Sequence, residues 1–253
     1  MNTEDDLRQR LARPAYPRAA GYDPRLLIET AMGPNPLWLM EALTQVLPPA
    51  PGMRVLDLGC GRATTSIFLA KEFGVRVTAA DLWIKPGENW ARIQAAGLAD
   101  AVMPLRAEAH ALPFADGYFD AIVSVDAYHY FGTDDLYLAY VTRFLRPGGR
   151  LGIVVPGLVA DLEASAPPEH LRAHWERDFN TFHSPAWWRR HWERGGGVDV
   201  EVADAVPGGF EDWLLWSEVC VAEGRVRGQG EVDLLKADLG RTLCFARAVA
   251  RAK

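Results

Sequence analysis

Cysteine is scarce. Cys60, Cys220 and Cys244 are the three in 253 residues. They are odd in number and far apart, so they make no disulfide framework, and without a C-x-x-C pair they form no zinc finger. No apolar run approaches the ~20 residues needed to cross a bilayer. Positive charge is short as well: 27 Lys and Arg stand against 33 Asp and Glu, for a net charge of −6 and a pI near 5.6. A surface of that sign repels polyphosphate, which argues against nucleic acid as a partner. Internal repeats and low-complexity tracts are missing too. The acidic start, Met1-Asn2-Thr3-Glu4-Asp5-Asp6, has no apolar core segment of the kind a secretory signal carries. These absences lead to the expectation of a cytoplasmic protein that acts on a small molecule. A homo-oligomer is compatible with the composition.

What is present is an ordinary globular balance, 49% hydrophobic and 24% charged, which favours one domain with additions. Eight of the 17 prolines fall in residues 1–51, so loops and short helices are expected there, the best helix being Leu37–Leu47. From residue 52 strands and helices alternate. Strands are predicted at Arg54–Leu58, Val75–Ala80, Ala101–Leu105, Phe119–Val125, Leu151–Val155, Val198–Val202 and Thr242–Val249. Helices are predicted at Thr64–Phe73, Pro86–Ala96, Thr133–Leu145 and Phe210–Ala222, with Pro147-Gly148-Gly149 closing the third. Residues 156–197 break the rhythm with Pro167-Pro168, four of the six histidines and four of the nine tryptophans, and read as an inserted cap. The expected architecture is α/β: a Rossmann-like, seven-stranded, mostly parallel sheet flanked by helices. Residues 1–51 form an N-terminal lid. Residues 52–253 form the main domain, with the cap inserted after the fifth strand.

The most informative stretch is Val55-Leu56-Asp57-Leu58-Gly59-Cys60-Gly61-Arg62-Ala63. A short apolar run ends in an acid, followed by two glycines one residue apart and then a helix. Such a strand-to-helix turn brings bare backbone close to a ligand. Gly59 and Gly61 give the room, and Asp57 offers a carboxylate. The dinucleotide pattern G-x-G-x-x-G fails at its third glycine, because position 64 is Thr. Asp81 ends the second strand about twenty residues later, where an acid can accept hydrogen bonds from both ribose hydroxyls or cap the next helix.

The glycine stretch resembles the motif of class I S-adenosylmethionine-dependent methyltransferases, with Ala63 where that family usually has glycine. Ala107-Glu108-Ala109-His110-Ala111-Leu112-Pro113-Phe114 is similar to the family segment whose acid receives the adenine amino group, a place taken here by Glu108. Phe119-Asp120-Ala121-Ile122-Val123 and Arg146-Pro147-Gly148-Gly149 resemble its fourth-strand region. Met32-Gly33-Pro34-Asn35, Tyr128-His129-Tyr130-Phe131-Gly132 and His183-Ser184-Pro185 resemble landmarks of bacterial small-molecule methyltransferases related to the ubiquinone/menaquinone C-methyltransferase type. The resemblance implies S-adenosylmethionine as methyl donor and S-adenosylhomocysteine as product. The implied cofactor set is Asp57, Gly59, Gly61, Asp81, Leu82, Glu108, Ala109, His110 and Asp126.

Methyl transfer is an in-line displacement, so positioning is the main demand, and a base is needed only for a protonated acceptor. Just after the fourth strand, His129 is the leading base candidate, because an unperturbed imidazole titrates near neutrality. Tyr128 and Tyr130 are the candidates to bond the acceptor or face a cation, with packing against the sheet as the alternative. Tyr16, Tyr22 and Asn35 in the lid, with His183 and Trp188 in the cap, are the candidate acceptor contacts. His170 and His174 lie four apart but lack the intervening Glu of a zinc protease, and no metal is expected. Trp213 and Trp216 are expected in the core or in an aromatic acceptor wall. The expected function is methylation of a small aromatic or apolar metabolite. The rival readings are a NAD-dependent oxidoreductase and a non-catalytic module that binds S-adenosylmethionine.

Overall fold

The computed structural model describes residues 3–162, 166–225 and 228–253. The strands are β1 (Arg54–Leu58), β2 (Arg76–Asp81), β3 (Val102–Arg106), β4 (Phe119–Val125), β5 (Leu145–Leu158), β6 (Val198–Ala205) and β7 (Leu243–Ala252). They form one sheet in the order β3-β2-β1-β4-β5-β7-β6. Only β7 runs against its neighbours. β1 and β4 are nearly continuous apolar runs, as parallel strands buried on both faces must be. Strand order reverses between β1 and β4, which pair through Val55↔Ala121 and Asp57↔Val123. The loops leaving these two strands diverge, and a crevice opens above their C-terminal ends.

Side chains alternate across the sheet and divide the interior into two cores. On one face Val55, Val77, Ala121 and Val123 pack under α3 (Pro36–Val46), α4 (Thr64–Phe73), α8 (Gly209–Ala222) and α9 (Gln229–Asp238). The short helices α1 (Glu4–Leu11) and α2 (Pro24–Thr30) extend this layer, and Ile93 brings in α5 (Pro86–Ala95). On the other face Leu56, Leu58, Ile122 and Ile153 pack under α6 (Tyr137–Thr142) and α7 (Pro185–Gly195). Removing a fully buried residue such as Trp188 from this second core would cost roughly 3–5 kcal/mol.

Three expectations change. The helix predicted from Thr133 is only α6, because residues 133–136 form a turn in which Asp134 accepts from the Leu136 amide at 2.8 Å. β5 begins at Leu145 and carries the Pro147-Gly148-Gly149 stretch through a register shift against β4. The proposed cap also shrinks. α7 is a crossover helix lying against β6, capped by Ser184, whose hydroxyl accepts from the Trp187 amide at 3.0 Å. Only 159–184 departs from the strand–helix rhythm, and residues 163–165 of that stretch lie outside the described ones. α9 was not foreseen at all.

Within residues 1–51, α3 is set by Asn35 and Pro36. The Asn35 side-chain oxygen accepts from the Leu37 and Trp38 amides at 3.0 and 3.3 Å, and Pro36 supplies a preset φ at the first helical position. Most of this extension is packed helix. The turn between α2 and α3, residues 30–36, is the part that reaches the crevice.

Candidate functional site

β1 gives way to α4 through Gly59, Gly61 and Ala63, all left-handed at φ 76°, 51° and 60°. Holding Ala63 there costs about 1–2 kcal/mol relative to an ordinary backbone. A Cβ at Gly59 would collide with the Ala127 methyl, and one at Gly61 would lie 2.9 Å from the Met32 sulfur. The two glycines are thus demanded first by the protein's own loops, which they let converge over the crevice. Ala63 offers no side chain to cap α4, so the first-turn amides of that helix meet no capping side chain.

Asp57 departs from its expected place. It is buried beneath the corner, where one oxygen accepts from the Thr65 and Ser66 hydroxyls at 2.6 Å each. Burial pushes its pKa up to about 6. It positions the first turn of α4 instead of facing a ligand.

Above the corner is a cavity of about 340 Å³. Its floor and walls are the ends of four parallel strands: Gly59–Arg62, Asp81–Trp83, Ala107–His110 and Val125–Ala127, with Met32-Gly33-Pro34 across the top. Of the residues expected to hold the cofactor, Gly59, Gly61, Asp81, Leu82, Glu108, Ala109, His110 and Asp126 line this one cavity. Asp81 is held rigidly: one oxygen accepts from the Gly61 amide at 2.8 Å and the other from the Trp83 and Ile84 amides at 2.8 and 2.9 Å. The oxygen bonded to Gly61 keeps a further lone pair for a hydroxyl, while the other has both of its lone pairs engaged. Glu108 accepts from the His110 amide at 2.9 Å and pairs with its ring at 3.0 Å, and that ring contact draws its carboxyl below the usual range. Trp83, unforeseen in the sequence, stands exposed at the rim, its ring 6.1 Å from that of Tyr130.

A second cavity, of about 360 Å³, adjoins the first. The two share Met32, Gly33, Pro34, Asp126 and Tyr130 as a common wall. The far side comes from α8 and α9, through Trp213, Trp216, Ser217 and Glu231, and from Phe179 and Phe182. The Trp216 ring N–H donates to the Gly33 carbonyl at 3.0 Å and ties this wall to the shared one. Asp126 has a left-handed backbone at φ 55°. Burial, with the charge of Glu231 as a lesser cause, pushes its carboxyl up to about 8.

The catalytic candidates separate. Tyr130 lies in the shared wall, its pKa pushed up to about 12 mainly by burial. His129 reaches the second cavity, but burial lowers its pKa to about 3 and leaves Nδ1 without a partner. The expectation of an imidazole poised near neutrality fails for that reason; Asp126 is the group that titrates there. Tyr128 is fully buried among Phe131, Tyr137, Trp188 and Trp192, and its hydroxyl has no partner.

None of the five proposed acceptor contacts reaches either cavity. Tyr16 stacks on Trp38 and bonds Asp212. Tyr22 donates to Glu72 at 3.0 Å. Asn35 is spent capping α3. His183 stacks on Trp187 at 3.7 Å between ring centres, and burial lowers its pKa to about 4. Trp188 lies in the sealed aromatic core. His170 pairs with Asp238 at 3.1 Å, away from His174, which lines the second cavity.

Sheet order, glycine corner and strand-end acids together define the Rossmann-like methyltransferase fold. Residues 55–149 match the family model described as a methyltransferase domain. The methyltransferase GfsG of Streptomyces halstedii is 34% identical over 128 residues, 49% of this chain and 46% of that protein. Demethylmenaquinone methyltransferase of Thermus thermophilus is 34% identical over 125 residues, covering 49% and 56% respectively. The chain thus spans about half the length of these curated relatives. Geranyl diphosphate C-methyltransferase from Streptomyces coelicolor, solved with S-adenosyl-L-homocysteine, superposes with a TM-score of 0.68 over 97% of this chain and 84% of its own, at 19% identity. At that identity the likeness is one of fold. These matches give the nicotinamide oxidoreductase reading no support.

Proposed function

We propose that this protein transfers a methyl group from S-adenosylmethionine to a small molecule with an apolar or aromatic body. The observation that carries the reading is the pair of cavities meeting at Asp126 and Tyr130. One is built for a nucleoside and the other is walled by aromatics. The first cavity fits the donor. Asp81 keeps a lone pair for a ribose hydroxyl, Glu108 stands at the next strand end for an amino group, and the uncapped first turn of α4 favours a carboxylate. Its volume falls in the range of small-molecule sites. When bound, S-adenosylmethionine supplies an electrophilic methyl carbon on a cationic sulfur.

The protein's own part is positioning and water exclusion, which in favourable cases contribute roughly 7–11 kcal/mol. Residues 30–36 act as the lid segment, with Met32 and Pro34 bordering both cavities. Tyr130 and Asp126 orient the acceptor at the shared wall. Where the acceptor sheds a proton, the Asp126 carboxylate is placed to hold it. A second cavity lined by Trp213, Trp216 and Phe182 favours an enzyme over a non-catalytic binding module, which needs no acceptor chamber.

Calorimetric titration with S-adenosylmethionine, S-adenosylhomocysteine and NAD tests the reading. The first two are expected to bind and NAD is not. Binding of NAD with no response to either adenosyl compound would overturn it.

A further inference from the structure

The second cavity is unusual in its charge. Asp126, Glu176 and Glu231 all line it. Glu231 is held by neutral donors, the Trp213 ring N–H at 2.8 Å and the Ser217 hydroxyl at 2.9 Å. Burial raises its carboxyl pKa, and Glu176 adds to the rise; Glu231 in turn raises Asp126. The three acids therefore crowd one another electrically. Among the described residues the positive side chain lining the same space is Arg225, and it is already engaged with the Ala31 and Glu29 carbonyls. Among the described residues neither Asp126 nor Glu176 has a salt-bridge partner.

Repulsion of this kind between partly dehydrated carboxylates around one chamber is relieved when a cation enters. Among the described residues no three His, Cys, Asp or Glu side chains come together closely enough to hold a metal ion. The acids are dispersed around a chamber of about 360 Å³, which suits an extended organic cation better than a compact ion. The aromatic lining adds a second, independent attraction. Trp213, Trp216 and Tyr130 line the chamber, and an ammonium over an aromatic face gains about 0.5–2 kcal/mol. His129, 1% exposed, brings to the same wall a neutral ring whose Nδ1 has no partner.

We propose that the acceptor is an organic amine, a protonated nitrogen attached to an apolar or aromatic body, and that Glu231 and Asp126 are its specificity-determining carboxylates. The inference rests on the methyl-transfer reading above and names the class of acceptor. The ammonium enters as the cation, its charge favours the ionised form of Asp126, and it then loses one proton to that carboxylate at the shared wall. Its nitrogen lone pair then forms the N–C bond while the C–S bond of the donor breaks, its electron pair staying on sulfur. The products are an N-methylammonium, S-adenosylhomocysteine and a proton carried away from Asp126.

The test compares three probes of one shape: 2-phenylethylamine, 2-phenylethanol and phenylacetate. Each is titrated into the protein alone and into the protein loaded with S-adenosylhomocysteine. The amine is expected to bind at least tenfold tighter than the alcohol, and the acid most weakly. Glu231→Gln is expected to shrink the amine-over-alcohol preference to less than twofold, with S-adenosylhomocysteine affinity and melting temperature read as controls for folding. Glu176→Gln, at an exposed position, is expected to reduce the preference two- to fivefold and keeps the question answerable if the Glu231 variant does not fold. Amine binding no tighter than that of the alcohol, including no binding of either, overturns the proposal. So does a preference that survives both substitutions. Failure of S-adenosylhomocysteine to bind would instead fall on the donor reading, because the probes are also measured without it.

Discussion

Two tryptophan-bearing helices in this molecule have opposite fates. α7 contributes Trp188 and Trp192 to a sealed cluster with Tyr128 and Tyr137, and no cavity reaches them. α8 contributes Trp213 and Trp216, equally buried from solvent, yet both line the second cavity. Connection in the chain makes the difference. α7 joins β5 to β6 and must cover the sheet, so its apolar stripe is consumed by packing. α8 and α9 lie between the antiparallel pair β6 and β7 and come round to the side where α3 and the 30–36 turn leave the crevice. The open side also holds the less favourable chemistry: Ala63 and Asp126 in left-handed backbone, and Asp126, Glu176 and Glu231 in mutual repulsion. Backbone and charge strain of this sort tends to collect where a protein works.

The largest effect that separates the two sides is expected from Trp188→Ala. Chemical denaturation should show a loss of roughly 3–5 kcal/mol, while the folded fraction keeps its affinity for S-adenosylhomocysteine. A normal stability, or a selective loss of ligand binding, would break the contrast. Trp216→Phe is expected to cost only about 1 kcal/mol, from the lost bond to the Gly33 carbonyl. Its main consequence should instead be functional, a several-fold rise in the acceptor concentration needed for half-maximal rate.

Asp126→Asn sharpens the comparison through pH. In the folded protein this carboxyl is raised from the ordinary value near 4 to about 8. Between those values the native state holds more protons here than the unfolded chain, so native stability falls as pH rises. The asparagine variant lacks that loss. Its melting temperature relative to the parent should climb between pH 5 and pH 8.5, by ~2–4 °C for each kcal/mol involved. A constant difference across that range would remove Asp126 from the strained side.

The smallest effect is expected from Tyr128→Phe. The hydroxyl is buried without a partner, so its removal should leave stability unchanged or raise it by up to about 1 kcal/mol, with turnover unaltered. A marked fall in turnover would return Tyr128 to the catalytic group.

The lining of the first cavity was readable in the sequence and that of the second was not. Gly59, Gly61, Asp81 and Glu108 were legible because a parallel sheet sends all its strand ends to one edge, so residues at strand ends share a site whatever their separation. Asp57 was placed at the right corner and given the wrong partner, since a strand-end acid faces a ligand or its own helix with no change in sequence. Tyr16, Tyr22 and Asn35 lie in the segment expected to close over the site, yet each has a local partner instead: a ring, a carboxylate and two amides. The far wall of the second cavity depends on α9, whose segment Gln229-Gly230-Glu231-Val232-Asp233 has two early glycines nearby and few apolar residues. Glu231 in such a stretch reads as a solvated charge, and only tertiary packing buries it against Trp213.

The central claim is that the glycine corner, Asp81 and Glu108 hold the adenosyl group while its sulfur points toward Asp126 and Tyr130. A crystal structure of the protein grown with S-adenosylhomocysteine measures this directly. The account predicts a ribose hydroxyl on the Asp81 carboxylate, the adenine beside Glu108 and the sulfur facing the second cavity. Density for the nucleoside in any other position, or with its sulfur turned away from Asp126, would contradict it.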